Sequence, residues 1–190
     1  MTARARLQNL LLAAALVVIC VAADQGTKRW ATATLRSAPT QSFAMDSIRL
    51  HYAMNSGGFL SFGSELPERA RRSLFIGFNL LLMLGLGWFL IANPHRNRGP
   101  FIGVGLLFAG GIGNLIDRLL HNGQVIDFLN LGIGWLRTGI FNVADVAIVA
   151  GAGLVVLCSW NSPAAIPQAE TAATEPPAAD SFESTRRRSA

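Results

Sequence analysis

Four stretches of the chain are nearly unbroken runs of apolar residues, separated by segments of quite different character. The runs cover about 7–23, 73–92, 100–117 and 141–160. Each is close to the roughly 20 residues a helix needs to cross a bilayer's hydrocarbon. The pattern therefore predicts an all-α integral membrane protein with four transmembrane helices. Between the first two runs the period changes. Ile48, Leu50, Tyr52 and Met54 alternate with Arg49, His51 and Ala53. A period of two marks a half-buried strand, and Asn55-Ser56-Gly57-Gly58 reads as the turn after it. The loop 24–72 is thus expected to hold a small sheet on the membrane surface. Residues 66–72 read as an interfacial helix start, with Pro67 tolerated in its first turn. Residues 161–190 are rich in Ala, Pro, Thr, Ser and Glu and contain one aromatic, Phe182. That composition cannot bury enough apolar surface to fold alone, so a disordered tail is expected beyond a folded unit at 1–160.

Composition agrees with lipid as solvent. Only 14% of the 190 residues are charged, against about 25% in an ordinary soluble domain, and the mean hydropathy is +0.39. The net charge is +5, but the arginines flank apolar runs instead of clustering on one polar face. That placement suits membrane phospholipids and argues against a nucleic-acid partner. The first run also fits a secretory signal peptide, with Arg4 and Arg6 before it and Val21-Ala22-Ala23 as a cleavage site. A lipoprotein signal ending at Cys20 fails because Ile19 is bulky where a small residue is needed. An uncleaved span is favoured because a polar box begins at Asp24. Cys20 and Cys158 each lie inside an apolar run without a metal-binding neighbourhood, so neither zinc nor cysteine chemistry is expected.

Four spans place both termini on one side. The two faces carry seven and nine basic residues, so charge alone barely decides between them. The short 93–99 link, with Arg96 and Arg98, tips the balance towards cytoplasmic termini.

Polar groups at membrane depth are costly and call for a reason. Here they gather at Asp24-Gln25-Gly26-Thr27-Lys28, at Asn55-Ser56-Gly57-Gly58-Phe59, at Gly110 to Arg118, and at Val125-Ile126-Asp127-Phe128 followed by Phe141-Asn142-Val143-Ala144-Asp145. Gly110, Asn114 and Arg118 share a helix face, as do Asn142 and Asp145. All the clusters fall at one end of the four-span arrangement, which points to a site.

The carboxylates carry the sharpest question. Asp117 adjoins Arg118 and Asp24 lies one turn from Lys28, so ion pairing explains both. Asp127 and Asp145 have no basic residue within four positions and sit among apolar neighbours. Brought together, they could not both ionise and would share one proton. One carboxylate would then deprotonate water while the other protonates a scissile carbonyl. Alternatively, either could pair with Arg118 or Arg137, or cap a helix. If Asn142 caps the fourth span, Asp145 lies in its first turn, where the helix dipole favours its charged form. Asp127 would then hold the proton.

Taken in order, the DQxTK, NxG, GGxGNLxDR, VxDF and FNxAD boxes resemble those of lipoprotein signal peptidase (signal peptidase II), over residues 24–145. The resemblance implies an aspartic endopeptidase that removes signal peptides from diacylglyceryl-modified prolipoproteins, cutting just before the lipid-bearing cysteine. It implies catalysis by Asp127 and Asp145 with neither metal nor cofactor. Asn55, Asn114, Arg118 and Asn142 match residues lining the substrate cleft. Asp24, Lys28, Gly110 and Asp117 match positions with a structural role. The resemblance further implies an extracytoplasmic β-cradle between the first and second spans, a site near the periplasmic face of the inner membrane, and cytoplasmic termini. One departure is Gly58-Phe59-Leu60, where many members have two small residues before the aromatic. Nothing in the sequence fixes the oligomeric state; a monomer is expected. Two rival readings are a small carrier or channel and a non-catalytic scaffold for lipoprotein precursors. The first would place polar residues mid-bilayer in inverted repeats, and neither feature is present in the sequence. Intact aspartates argue against the second.

Overall fold

The computed structural model describes residues 3–57, 67–94 and 97–160. The elements run α1 (Ala3–Leu35), β1 (Gln41–Phe43), β2 (Ile48–Asn55), α2 (Glu68–Ala92), α3 (Arg98–Leu120), β3 (Val125–Ile133), β4 (Leu136–Arg137) and α4 (Val143–Trp160). The tail beyond 160 and the Gly58-Phe59-Leu60 departure lie outside the described residues. All four helices are long and apolar enough to span a membrane.

Helices α1, α2 and α3 run past the apolar runs that announce them, while α4 begins two residues inside its own. Helix α1 has 33 residues, about 50 Å at 1.5 Å per residue, so it outreaches a hydrocarbon layer of about 30 Å. Its last turns remain helical because Ala31 and Leu35 pack against Phe128, Leu50 and Tyr52 of the sheet. The loop after α1 is correspondingly shorter than the 24–72 expected. Of the helix start expected at 66–72, the described residues open α2, with Pro67 at its N-cap and its carbonyl accepting the Arg71 N–H at 2.9 Å.

Helix α3 is the centre of the bundle. More than half of its span is buried, against 11–17% for the other three. Large residues on those three, such as Val18, Leu81 and Val149, remain exposed, as a lipid-facing surface requires. Glycines bring α4 close to α3. A Cβ on Gly103 would lie 2.9 Å from the Gly151 carbonyl, and one on Gly110 would collide with the Ala144 carbonyl. Small residues at such crossings let two backbones approach. Away from the sheet, Ala13, Leu90, Phe101 and Val104 form the apolar core.

The sheet is antiparallel, in the order β1-β2-β3-β4. It corrects one expectation: its strands are not all supplied by the segment between the first and second spans. Half of them, β3 and β4, come from between α3 and α4. The alternation over 48–54 is real at Leu50, His51 and Tyr52, but breaks at a register shift between Leu50 and Ala53. Arg49 is half-buried because its guanidinium pairs with Asp46. Helix α1 underpins the sheet through Trp30, which meets Phe128 edge-on at 6.3 Å.

Candidate active site

Every polar cluster seen in the sequence reaches one end of the bundle, where α1, α3, β2, β3 and the start of α4 converge. The fourth helix opens with a reciprocal cap. The Asn142 side-chain oxygen accepts the Asp145 N–H at 3.0 Å, and Asp145 Oδ2 accepts the Asn142 N–H at 3.1 Å. This is the capping box with an aspartate in the third position. Asp145 thus lies in the first turn of α4, as its spacing from Asn142 predicts.

Asp127 reaches the same place on β3. Asn142 Nδ2 donates to its Oδ1 at 2.7 Å, and Asn55 Nδ2, from β2, donates to its Oδ2 at 2.9 Å. Strand pairing sets this up, because Ala53 faces Asp127 and Asn55 faces Val125 in the antiparallel register. Asp127 is 2% exposed. Burial pushes its carboxyl up to about 6; the nearby Asp145 charge adds to the rise, while the bonds from Asn55 and Asn142 and the charge on Lys28 oppose it.

The ion-pair alternatives resolve in two ways. Asp24 pairs with Lys28 at 2.8 Å, as one helical turn allows. Asp117 pairs with Lys28 at 2.9 Å, not with its neighbour Arg118. Consecutive helix positions point in different directions, so adjacency in sequence was misleading. Arg137 pairs with Asp46 near the β1–β2 turn instead of with either central aspartate. Asp46 is held below the usual carboxylate range, chiefly by Arg49 and then by Ser42.

Lys28, Asp24 and Asp117 are each about 1% exposed. Their other valences are filled. Asp24 Oδ1 accepts the Ala144 N–H at 2.9 Å, and Asp117 Oδ2 accepts the Ile126 N–H at 2.9 Å. The buried triad therefore ties α1 to α4 and α3 to β3. Gly113 makes room for it, since a Cβ there would sit 2.6 Å from Asp24 Oδ2. Gln25 adds a bond to Asp117 Oδ1 at 2.9 Å. Its box in the sequence assigned Gln25 no role; the signal was a polar residue at the end of an apolar span. Asn9, buried and bonded to the Pro94 carbonyl at 2.7 Å, was missed as well; beside Gln8, it is one of two amides within the first apolar run.

Arg118 lies beside this network. It stands over the Phe75 ring at 5.8 Å and donates weakly to the Asn114 carbonyl at 3.4 Å. Its buried Nε has no hydrogen-bond partner among the described residues. Asn114 joins the triad to the carboxylates, accepting from Lys28 at 3.1 Å and donating to Asp145 Oδ1 at 2.9 Å.

Four apolar helices around a buried polar cluster at one end define a multi-pass membrane protein. The family model for signal peptidase (SPase) II matches residues 16–161. The lipoprotein signal peptidase of Streptococcus pyogenes is 30% identical over 144 residues, covering 76% of this chain and 90% of its own. That of Chlorobium phaeobacteroides is 31% identical, covering 75% and 86%, and that of Desulforapulum autotrophicum is 35% identical, covering 70% and 82%. A solved structure of a bacterial membrane enzyme superposes with a TM-score of 0.68 at 26% identity, over 78% of this chain and 87% of that one. The chain belongs to the signal peptidase II family. It is a bacterial inner-membrane aspartic peptidase that removes signal peptides from prolipoproteins, cutting before the lipid-bearing cysteine.

Proposed function

We propose that Asp127 and Asp145 are the catalytic pair of this peptidase, with Asp127 holding the shared proton. The observation that carries the reading is Asn142. This one residue hydrogen-bonds both carboxylates, through its side chain to Asp127 and its backbone N–H to Asp145. Asp145, at a helix N-terminus and held by donors from Asn114 and Asn142, takes the proton from a water molecule. The water oxygen attacks the scissile carbonyl while Asp127 gives its proton to the carbonyl oxygen. As the tetrahedral centre collapses, Asp145 passes its proton to the departing nitrogen and Asp127 recovers its own. The products are the signal peptide's new carboxylate and the amine of the lipid-bearing cysteine.

Arg118 is the substrate-binding cation in this reading, its buried Nε available to a peptide carbonyl. Asn55, Asn114 and Asn142 hold the carboxylates and border the cleft. The site faces the periplasm, the sheet is an extracytoplasmic cradle, both termini are cytoplasmic, and residues 1–160 form the peptidase unit. Tryptophan placement fits four spans: Trp88 and Trp160 lie near the C-terminal ends of α2 and α4, and Trp30 lies within α1 near its C-terminal end, on the opposite side of the bundle, as two interfacial belts would require. The exposed apolar faces of the spans meet phospholipid chains. One chain supplies both carboxylates and all their donors, so a monomer suffices.

Infrared titration of single Asp→Asn variants tests the proton assignment. A protonated-carboxyl band is expected below about pH 6 in wild type, at lower pH in Asp145→Asn because the neighbouring charge is gone, and not in Asp127→Asn. A band lost with Asp145 and kept without Asp127 would overturn it.

A further inference from the structure

Lys28 has an ammonium with three donors and no acceptor. Its three contacts are Asp24 Oδ2, Asp117 Oδ2 and Asn114 Oδ1, at 2.8, 2.9 and 3.1 Å. Two of these neutralise charge. The third fixes a direction. Because an ammonium can only donate, Asn114 must turn its oxygen to Lys28, which leaves its Nδ2 facing Asp145 Oδ1 at 2.9 Å. The same Asn114 oxygen accepts from Asn142 Nδ2 at 3.2 Å. That contact, together with the Ile126 carbonyl, which accepts from the same nitrogen at 3.3 Å, aims the Asn142 amide nitrogen at Asp127 Oδ1 and its oxygen at the Asp145 N–H.

We propose that Lys28 is a positioning residue for the reaction: through the hydrogen-bond chain Lys28–Asn114–Asn142 it fixes the orientation of both amides, so that each catalytic carboxylate faces an N–H donor. An amide is nearly symmetrical in shape, and packing alone distinguishes its two ends poorly. Turning Asn114 over would set its NH2 against the ammonium and its oxygen against Asp145. Turning Asn142 over would set its oxygen against Asp127 and remove the acceptor that caps α4. The buried triad thus does more than join helices, because its cation sets the sense of hydrogen bonding at the pair. This inference rests on the reading of Asp127 and Asp145 as the catalytic pair.

Two variants separate direction from charge and from folding. Lys28→Met with Asp117→Asn removes the ammonium and one of its two carboxylates, so the cluster keeps a single net negative charge. Asn114→Asp keeps a partner for Lys28 but offers Asp145 an oxygen where it had a donor. Each is purified in detergent, its folded fraction is measured by thermal unfolding, and kcat and KM for a lipidated prolipoprotein are followed against pH. For the double variant kcat is expected to fall on the order of 100-fold, the scale of a misplacement of about 1 Å, with KM little changed. For Asn114→Asp the same fall is expected at neutral pH, with activity partly regained as pH falls, because the introduced carboxyl donates again once protonated. A folded double variant with wild-type kcat overturns the proposal, as does Asn114→Asp with wild-type kcat and pH profile. Should the double variant not fold, the pH profile of Asn114→Asp decides alone. Turnover by Asp127→Asn or Asp145→Asn would instead remove the catalytic-pair reading beneath it.

Discussion

Burial and hydrogen bonding pull the Asp127 carboxyl in opposite directions, and burial is the larger effect. The folded value of about 6 lies above the ordinary 3.8, so folding takes up a proton between those two values. Stability from this group is fully present below the unfolded value and is lost as pH rises through about 6. The difference is worth about 3 kcal/mol. Thermal unfolding of wild type is therefore expected to weaken from about pH 4 to pH 7 relative to Asp127→Asn; identical pH slopes would contradict the assignment. With Asp127 as the proposed proton donor, kcat/KM is expected to decline on the alkaline side of about 6. At this scale the sequence was informative where chemistry is local. Asp127 and Asp145 stood out because no basic neighbour offered an alternative. The cap at Asn142 was legible from its spacing to Asp145. The partner of Asp117 was not, because Lys28 comes from another helix and only the fold brings them together.

Among the elements, α3 and α4 set the geometry of the site, because α4 presents Asn142 and Asp145 from its first turn. Their close crossing depends on glycines at which a Cβ meets backbone. Gly110→Ala is expected to force α4 outward beside the carboxylates, and Gly103→Ala to do so a long way from them. Both variants should lower thermal stability in detergent, by about 1–3 kcal/mol as overpacking does. Only Gly110→Ala should also lose most of its kcat. Gly153→Ala, with open space around the added carbon, should match wild type in both. Equal loss of activity at Gly103 and Gly110 would contradict the local role of the crossing. The helices were legible because a membrane span announces itself by hydropathy. Strand β2 was legible from its period of two. Strands β3 and β4 were not: Val125, Ile126, Asp127 and Phe128 are all buried, so β3 begins without any alternation of buried and exposed positions. A fully buried strand shows no period.

For the whole molecule, the polar site at one end of an otherwise apolar bundle makes orientation a functional question. Met45 is fully exposed in the β1–β2 turn. A cysteine placed there is expected to react with a membrane-impermeant maleimide applied to the periplasmic side, and reaction only after permeabilisation would invert the topology. The central claim is that Asp127 and Asp145 perform the cleavage together. Its most direct test is turnover of a lipidated prolipoprotein by purified wild type, Asp127→Asn and Asp145→Asn, with folding and substrate binding verified for each. The account predicts cleavage by wild type and losses of at least about 100-fold in kcat for both variants, the lower end for removing a general acid or base. Wild-type turnover by either variant would contradict it.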